Sequence, residues 1–377
     1  MKPSILFVDQ FPDLGGSQRS LLDLLPSLGD FDLEFALPGP GAFTAALQRR
    51  GVNWQQLDIG EYRLGRKSIA DMARFALRQP GAAARLTELA AGKSLIYANG
   101  PRVFPVAAVA ARRRGVPLLW HLQLEIESWR DRKILEAAAA WGHPRVIACS
   151  QACLELFSEK SAVRRRATVV YNGVEEVRIR PVQPSRSPVI GMIGRIHPDK
   201  GVMDLLDAVP EVVCAFPEAR FRLIGPRVDP EFSKAVDERA AEIAEQCGGG
   251  GAPCVEFVGE AATPAGAFGG LDLLVVPSRR EAASRVVLEA FSAGVPVIAS
   301  NAGGLPEVVG RDGVVFPAGD SGTLAAVIIR VLLDPSLRQR MVQAGRRSYE
   351  QRWNVDHFRQ AIRAEIEKQI ASRPPSP

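Results

Sequence analysis

Two stretches of this 377-residue chain restrict its fold more than any other feature. Ile5-Leu6-Phe7-Val8-Asp9 and Val189-Ile190-Gly191-Met192-Ile193-Gly194 are short, apolar and strand-like, and each runs into a glycine-bearing turn. After the first come Gly15-Gly16 and a helical pattern from Ser17 to Leu28. After the second come a loop and a helical pattern from Val202 to Phe216. A strand that feeds a helix reaches its next neighbour by a crossover, so the neighbouring strands are parallel. The second half keeps the alternation, with strands expected at Phe221–Ile224, Val255–Val258, Leu271–Val276, Val295–Ala299 and Val314–Phe316. The reading is α/β, two Rossmann-like domains with parallel sheets. Arg178 to Pro188, with three prolines in eleven residues, is the expected linker. It divides a first domain, 1–180, from a second, 181–350, with 351–377 as a C-terminal helix and tail. In parallel sheets ligands sit at the carboxyl ends of the strands, so two such sheets offer a cleft between those edges.

Composition closes off other classes. Apolar residues are 46% and charged residues 24%, ordinary for a globular protein. No apolar run approaches the roughly 20 residues of a membrane-spanning helix. The N-terminus enters a strand without a signal-peptide pattern, so a cytoplasmic location is expected. Five cysteines without a C-x-x-C pair, and four histidines without ligand spacing, give no support for a disulfide framework or a metal site. Residues 1–180 hold 25 Lys and Arg against 18 Asp and Glu, so the first domain carries the positive charge. Phosphates, acidic lipid surfaces or nucleic acid could answer it. The cations are scattered and few aromatics accompany them, so nucleic acid is not expected. In the Arg63-to-Arg85 stretch, Ile69, Met72, Ala73, Ala76 and Leu77 share one helical face flanked by Arg74 and Arg78. Packing of that face on the sheet is the preferred reading. Peripheral contact with the inner face of an anionic membrane is the alternative.

Four constellations carry chemistry. Gly194-Arg195 and Lys200-Gly201 place two cations on a loop between a strand and a helix, where free N–H groups and the helix dipole favour an anion. Arg195 is suited to paired hydrogen bonds with phosphate oxygens and Lys200 to a mobile point charge, although a solvated turn with two surface cations has the same pattern. Pro277-Ser278 through Glu281 to Ser284, Arg285, Val286 and Glu289 follows an apolar strand, with Ser284 as the helix N-cap. Its two carboxylates could grip hydroxyls at different heights of a sugar nucleotide, or be one dipole-favoured and one surface glutamate. Gly303-Gly304 precedes another helix, and Gly15-Gly16 offers backbone amides in the first domain. Neither strand turn reads G-x-G-x-x-G, which argues against a dinucleotide-dependent dehydrogenase. Asp30-Phe31-Asp32 looks like a metal-binding D-x-D but precedes a strand, where acids flanking a turn are the expected reading.

Taken in order, Gly15-Gly16, Tyr171-Asn-Gly-Val174, Gly194-Arg195…Lys200-Gly201, Glu281-x7-Glu289-Ala290, Ala293-Gly-Val-Pro296 and Gly303-Gly304-Leu-Pro-Glu307 closely resemble the family-4 retaining glycosyltransferases of GT-B fold. The resemblance implies a nucleotide-sugar donor, a UDP- or GDP-sugar, and a glycan, lipid-linked or small-molecule acceptor, with no cofactor and no metal required. It implies that Arg195 and Lys200 neutralise the donor diphosphate, that Glu281 holds sugar hydroxyls and that Glu289 holds the ribose. Gly16 would let the first domain's backbone meet the phosphates, and Gly194, Ser284, Arg285, Val286, Gly303 and Gly304 would complete the donor site. His121, at the end of Leu118-Leu-Trp-His121, would position donor or acceptor. The helical stretch from Leu337 to Ile370 would cross back onto the first domain. One departure stands out: the family's usual Gly-Phe-Gly after the first glutamate is here Ala282-Ala283-Ser284, and alanine resists positive φ. A GT-B epimerase or phosphorylase, and a non-catalytic sugar-nucleotide-binding protein, are the rival readings.

Overall fold

The computed structural model describes residues 2–60, 69–180, 187–247 and 254–372. The chain divides into two compact units, Met1–Asn172 with Val355–Pro377, and Gly173–Asn354. The first contains β1 Ser4–Asp9, β2 Asp32–Leu37, β3 Asn53–Gln56, β4 Leu95–Asn99, β5 Leu118–Leu122, β6 Arg145–Ala148 and β7 Ala167–Val169, in spatial order 3-2-1-4-5-6-7. The second contains β8 Val189–Ile193, β9 Arg220–Ile224, β10 Val255–Gly259, β11 Leu273–Val276, β12 Val297–Ser300 and β13 Val314–Phe316, in order 10-9-8-11-12-13. Every pair is parallel, with register such as Ile5↔Leu33 and Ile5↔Leu95, and one shift falls between Phe257 and Gly259 of β10. The two sheets repeat one doubly wound order, and the first adds a strand. Each reverses direction once, between β1 and β4 and between β8 and β11, which is where such folds open a crevice.

The strands are apolar because helices cover both faces. All five residues of β4 and of β5 are buried, as are all four of β11. In the first unit Phe7 stacks on Phe35 with centroids 4.8 Å apart, and Phe43 meets Phe35 edge-on at 5.8 Å. In the second, Leu205, Val209 and Val212 of the helix Val202–Ala215 join Phe221, Leu273, Val275 and Ile328 in one buried cluster.

Three expectations are corrected. The units divide at Asn172/Gly173 and at Asn354/Val355, not at residues 180 and 350. The reason is local bonding: Val174 N donates to Trp353 O (3.0 Å) and Val177 N to the Ser292 hydroxyl (2.8 Å), so these residues already belong to the second unit. The expected linker lies partly outside the described residues. The helical stretch from Leu337 is not continuous. It comprises the helix Pro335–Ser348, a π-helical turn Tyr349–Trp353 and the helix Val355–Ala371, with Trp353 buried at the break and Asn354 bridged to Val174. The helix Ile69–Leu89 does not pack its predicted face on the sheet. Ala73 and Ala76 are exposed and Leu77 is 80% exposed, whereas Ala82, Ala83 and Leu86 are buried. The side chains of Ile69 and Met72, and residues 63–68, lie outside the described residues. Asp30 of the D-x-D pattern, expected to be an acid flanking a turn, takes two hydrogen bonds from Arg363.

Candidate functional site

In the second unit, the turns after β8, β11 and β12 meet at the switch point. Gly201 begins the helix Val202–Ala215 in a left-handed conformation, φ 67°, and a Cβ there would lie 1.9 Å from Pro277 O. Only glycine allows this approach, and it seats the Lys200 turn directly on the strand end after β11. Backbone bonds fix the seat, because Arg279 N and Arg280 N both donate to Asp199 O at 2.8 and 3.2 Å. A side-chain clasp adds to them. Asp204, 3% exposed, accepts from Arg279 through both of its oxygens, at 2.8 and 2.5 Å. A paired guanidinium–carboxylate contact of this kind fixes orientation as well as distance.

The result brings Lys200 and Glu281 together, Nζ to Oε2 at 2.5 Å, with side chains 22% and 14% exposed. The Ser278 hydroxyl also reaches Glu281 Oε2, at 3.4 Å. Glu281 O accepts from Gly304 N at 2.9 Å, so the Gly303-Gly304 turn is tied to the same loop. Gly194 has φ 155° and Gly303 φ 50°. Arg195 lies exposed on the Lys200 turn and, among the described residues, makes no side-chain hydrogen bond or ion pair. Lys200, Glu281, Gly303 and Gly304 therefore converge, with Arg195 on the rim.

Ser284 occupies the N-cap of the helix Arg285–Ala293 and is buried, but its side chain makes no capping bond, against the expectation. Neither Ala282, Ala283 nor Ser284 has positive φ, so this loop runs without the left-handed residues that a Gly-Phe-Gly segment permits. Arg285 and Glu289 pair at 3.8 Å one turn apart, and Arg285 Nη1 donates to Gly173 O at 3.2 Å. Val286 is half-buried beside them.

In the first unit, the carboxyl ends of β1, β4 and β5 hold a buried polar network. Asp9, 0% exposed, accepts from Phe11 N and Gln18 Nε2, both at 2.9 Å, and from Asn99 Nδ2 at 2.5 Å. Gln18 Oε1 accepts from Gly15 N at 3.1 Å, so the carboxylate holds the Gly15-Gly16 turn through one side chain. Asn99 Oδ1 accepts from Gln123 Nε2 at 2.9 Å, which lies 3.3 Å from His121 Nδ1. Burial pushes the Asp9 carboxyl up to about 6, against the pull of its hydrogen bonds from Asn99, Phe11 and Gln18.

His121 is enclosed near the end of β5. It is fully buried, its Nδ1 lies 2.7 Å from the Tyr97 hydroxyl, its ring stacks on Phe358 at 6.4 Å, and its Nε2 has no hydrogen-bond partner. Burial lowers its pKa to about 3, so the ring is neutral. Gly16 and His121 belong to the first unit, and the other candidates to the second.

Sequence reasoning missed Asp9, Gln18 and Asn99, and also the Asp204–Arg279 clasp. A signal existed for one of them: Gln18 stands three residues after the N-cap Gly15 and returns a bond to its N–H, as in a capping box. Among the described residues no group of three or more His, Cys, Asp or Glu could hold a metal ion, and no helix is long and apolar enough to cross a membrane.

Two doubly wound parallel sheets, one with a cation–carboxylate cluster at its switch point, define a two-domain protein of the GT-B fold class. Residues 187–334 match the family described as glycosyl transferases group 1, and residues 15–173 match the glycosyl transferase 4-like domain. The chain belongs to this glycosyltransferase family. It is 30% identical over 306 residues to a D-inositol 3-phosphate glycosyltransferase of Nocardioides sp., covering 70% of this chain and 66% of that protein. It is 28% identical over 168 residues to the capsular polysaccharide biosynthesis glycosyltransferase CapM of Staphylococcus aureus, covering 44% of this chain and 42% of that one. The matches thus span less than two thirds of these relatives' length. Among solved structures, Anabaena Alr3699/HepE in complex with UDP superposes with a TM-score of 0.82 at 24% identity, over 97% of this chain and 100% of that chain.

Proposed function

We propose that this protein is a retaining, metal-independent glycosyltransferase that moves a sugar from a UDP- or GDP-sugar to a hydroxyl of a glycan, glycolipid or small-molecule acceptor. The observation that carries the reading is the Lys200–Glu281 pair, held at 2.5 Å at the switch point of the second unit. A diphosphate arriving there meets two cations, Lys200 and the unpaired Arg195, on one turn. As the bond from the sugar to the phosphate lengthens, negative charge grows on the departing diphosphate, and fixed cations stabilise it most at that moment. Lys200 transfers its contact from Glu281 to the phosphate, which frees the carboxylate to accept from sugar hydroxyls. Ser284, Arg285, Val286 and Glu289 then face the nucleoside, with Glu289 on the ribose. Gly16 takes part through its backbone, and the first unit reads the acceptor. His121, neutral and enclosed, contributes by holding Tyr97 and Gln123 in place. The solved UDP complex of HepE supports the choice of donor class.

The experiment is a thermal-shift screen against UDP, GDP, ADP, TDP and their common sugar conjugates without added metal. A ligand at a hundred times its dissociation constant adds about 2.7 kcal/mol, a rise of a few degrees for a chain of this size. One responding nucleotide family is the expected result. Silence from all of them removes the donor site and, with Ala282-Ala283-Ser284 in mind, favours a protein that has lost the donor.

A further inference from the structure

The helix Trp129–Gly142 turns the wrong face to solvent for a simple surface helix. At about 100° per residue, Trp129, Arg130, Lys133, Ile134 and Trp141 fall within an arc of roughly 140°, filled in by Ala137 and Ala140. Trp129 is 64%, Ile134 55% and Trp141 43% exposed. The opposite side buries only Leu135 and Ala139. An amphipathic surface helix normally places its large apolar residues inward, and here they point out. The arc contains no acid.

Basic charge outnumbers acidic around it, and the helix's own acids, Asp131 and Glu136, lie outside the arc. Arg130 lies over the Trp129 ring at 5.6 Å, and Arg112 over the Trp141 ring at 5.2 Å. Arg112, Arg113 and Arg114 close the neighbouring helix Phe104–Arg114, which packs against this one through Ala108 and Gly142. Among the described residues, Arg112, Arg113, Arg114, Arg130 and Arg132 form no ion pair with an acid; Lys133 pairs with Glu136. On the other flank, Leu77 stands 80% exposed on the helix Ile69–Leu89, which packs on Phe104–Arg114.

We propose that this face seats the protein on an anionic lipid bilayer, with the helix Trp129–Gly142 lying in the plane of the interface. Tryptophan suits that position because its ring is apolar and its N–H is not, and arginines beside it meet headgroup phosphates. A second copy of the chain would set these uncompensated arginines against one another, whereas a fluid anionic surface supplies a counter-charge wherever each arginine falls. The inference stands on the first unit alone and does not depend on the donor.

Flotation with vesicles tests it, using phosphatidylcholine alone and phosphatidylcholine mixed with phosphatidylglycerol. The full chain should float with the mixed vesicles only, and high salt should release it. Trp129→Ser with Trp141→Ser should weaken binding about tenfold, as should Arg113→Glu with Arg130→Glu, each with an unchanged melting temperature. Leu333→Ser, an equally exposed apolar change in the second unit, should leave binding intact. Failure of the parent to float, or undiminished flotation of the tryptophan variant, overturns the proposal. So does a lipid-free dimer that the tryptophan variant abolishes, since the face would then join two copies.

Discussion

In the proposed donor site, the Lys200–Glu281 contact serves two states. Without ligand the pair neutralises itself at 2.5 Å in a partly enclosed position. On the proposed reading a diphosphate takes Lys200 from Glu281, and the carboxylate repels it meanwhile. Glu281→Gln should therefore bind the free nucleoside diphosphate at least as tightly as the parent by calorimetry, while transfer falls by about tenfold or more because a sugar contact is lost. Weaker binding of the free diphosphate would mean that Glu281 positions Lys200 and does not compete for it. Asp9 makes a different prediction. Its carboxyl is raised from 3.8 to about 6, so the folded protein holds that proton more tightly than the unfolded chain. The stability it contributes is complete below about pH 4 and is lost as pH rises through about 6, an effect of about 3 kcal/mol. Asp9→Asn cannot ionise. Its stability relative to the parent, read from urea melts, should improve by about 2 to 3 kcal/mol between about pH 4 and about pH 7. A constant difference would show that the network, not the charge, sets the stability there.

At the scale of elements, the turns matter more than the strands. Gly201 is where the Lys200 turn touches Pro277 O, and it has φ 67° as well. Gly201→Ala meets both obstacles, so its expected cost is more than about 3 kcal/mol, with loss of nucleotide response in the same variant. A stable variant that still binds nucleotide would show that the two turns can separate without harm. This glycine was legible in the sequence because strand, turn and helix follow one another locally, and so were the second unit's strands, which lie within about two residues of their expected positions. Long-range assembly was not legible. Asp9 and Asn99 are hydrogen-bonded only because β1 and β4 are sheet neighbours, a pairing that no local period reveals. His121 reads as a strand-end polar residue, yet its direction off β5 points it at Tyr97 and Phe358, and Phe358 lies more than two hundred positions away. The Trp129 helix mixes apolar and charged residues around its circumference, so its sequence does not say which side meets the protein.

For the whole molecule, the decisive element is the last helix, Val355–Ala371, which belongs to the first unit although the second unit separates them in sequence. Phe358, Ile362 and Ile366, all buried, complete the cluster around Phe7, Leu21 and Tyr97. Arg145 donates to both oxygens of Glu365 at 2.8 and 3.2 Å, Arg359 to Asp23 O at 2.7 Å, and Arg363 reaches Asp30. The apolar contacts should outweigh the ionic ones. Three buried side chains at roughly 1.5 to 3 kcal/mol each come to about 6 kcal/mol, comparable with the whole stability of a domain. The Arg363–Asp30 pair is solvent-exposed, where such pairs contribute little. Deleting residues 355–377 should thus abolish the cooperative melt of the first unit in calorimetry and leave that of the second. Ile362→Ala should lower the first unit's stability by about 2 to 5 kcal/mol, and Arg363→Ala should barely move it. If the arginine variant proved the more damaging, the helix would be held by its charges. High salt would then loosen it, which an apolar seat does not predict.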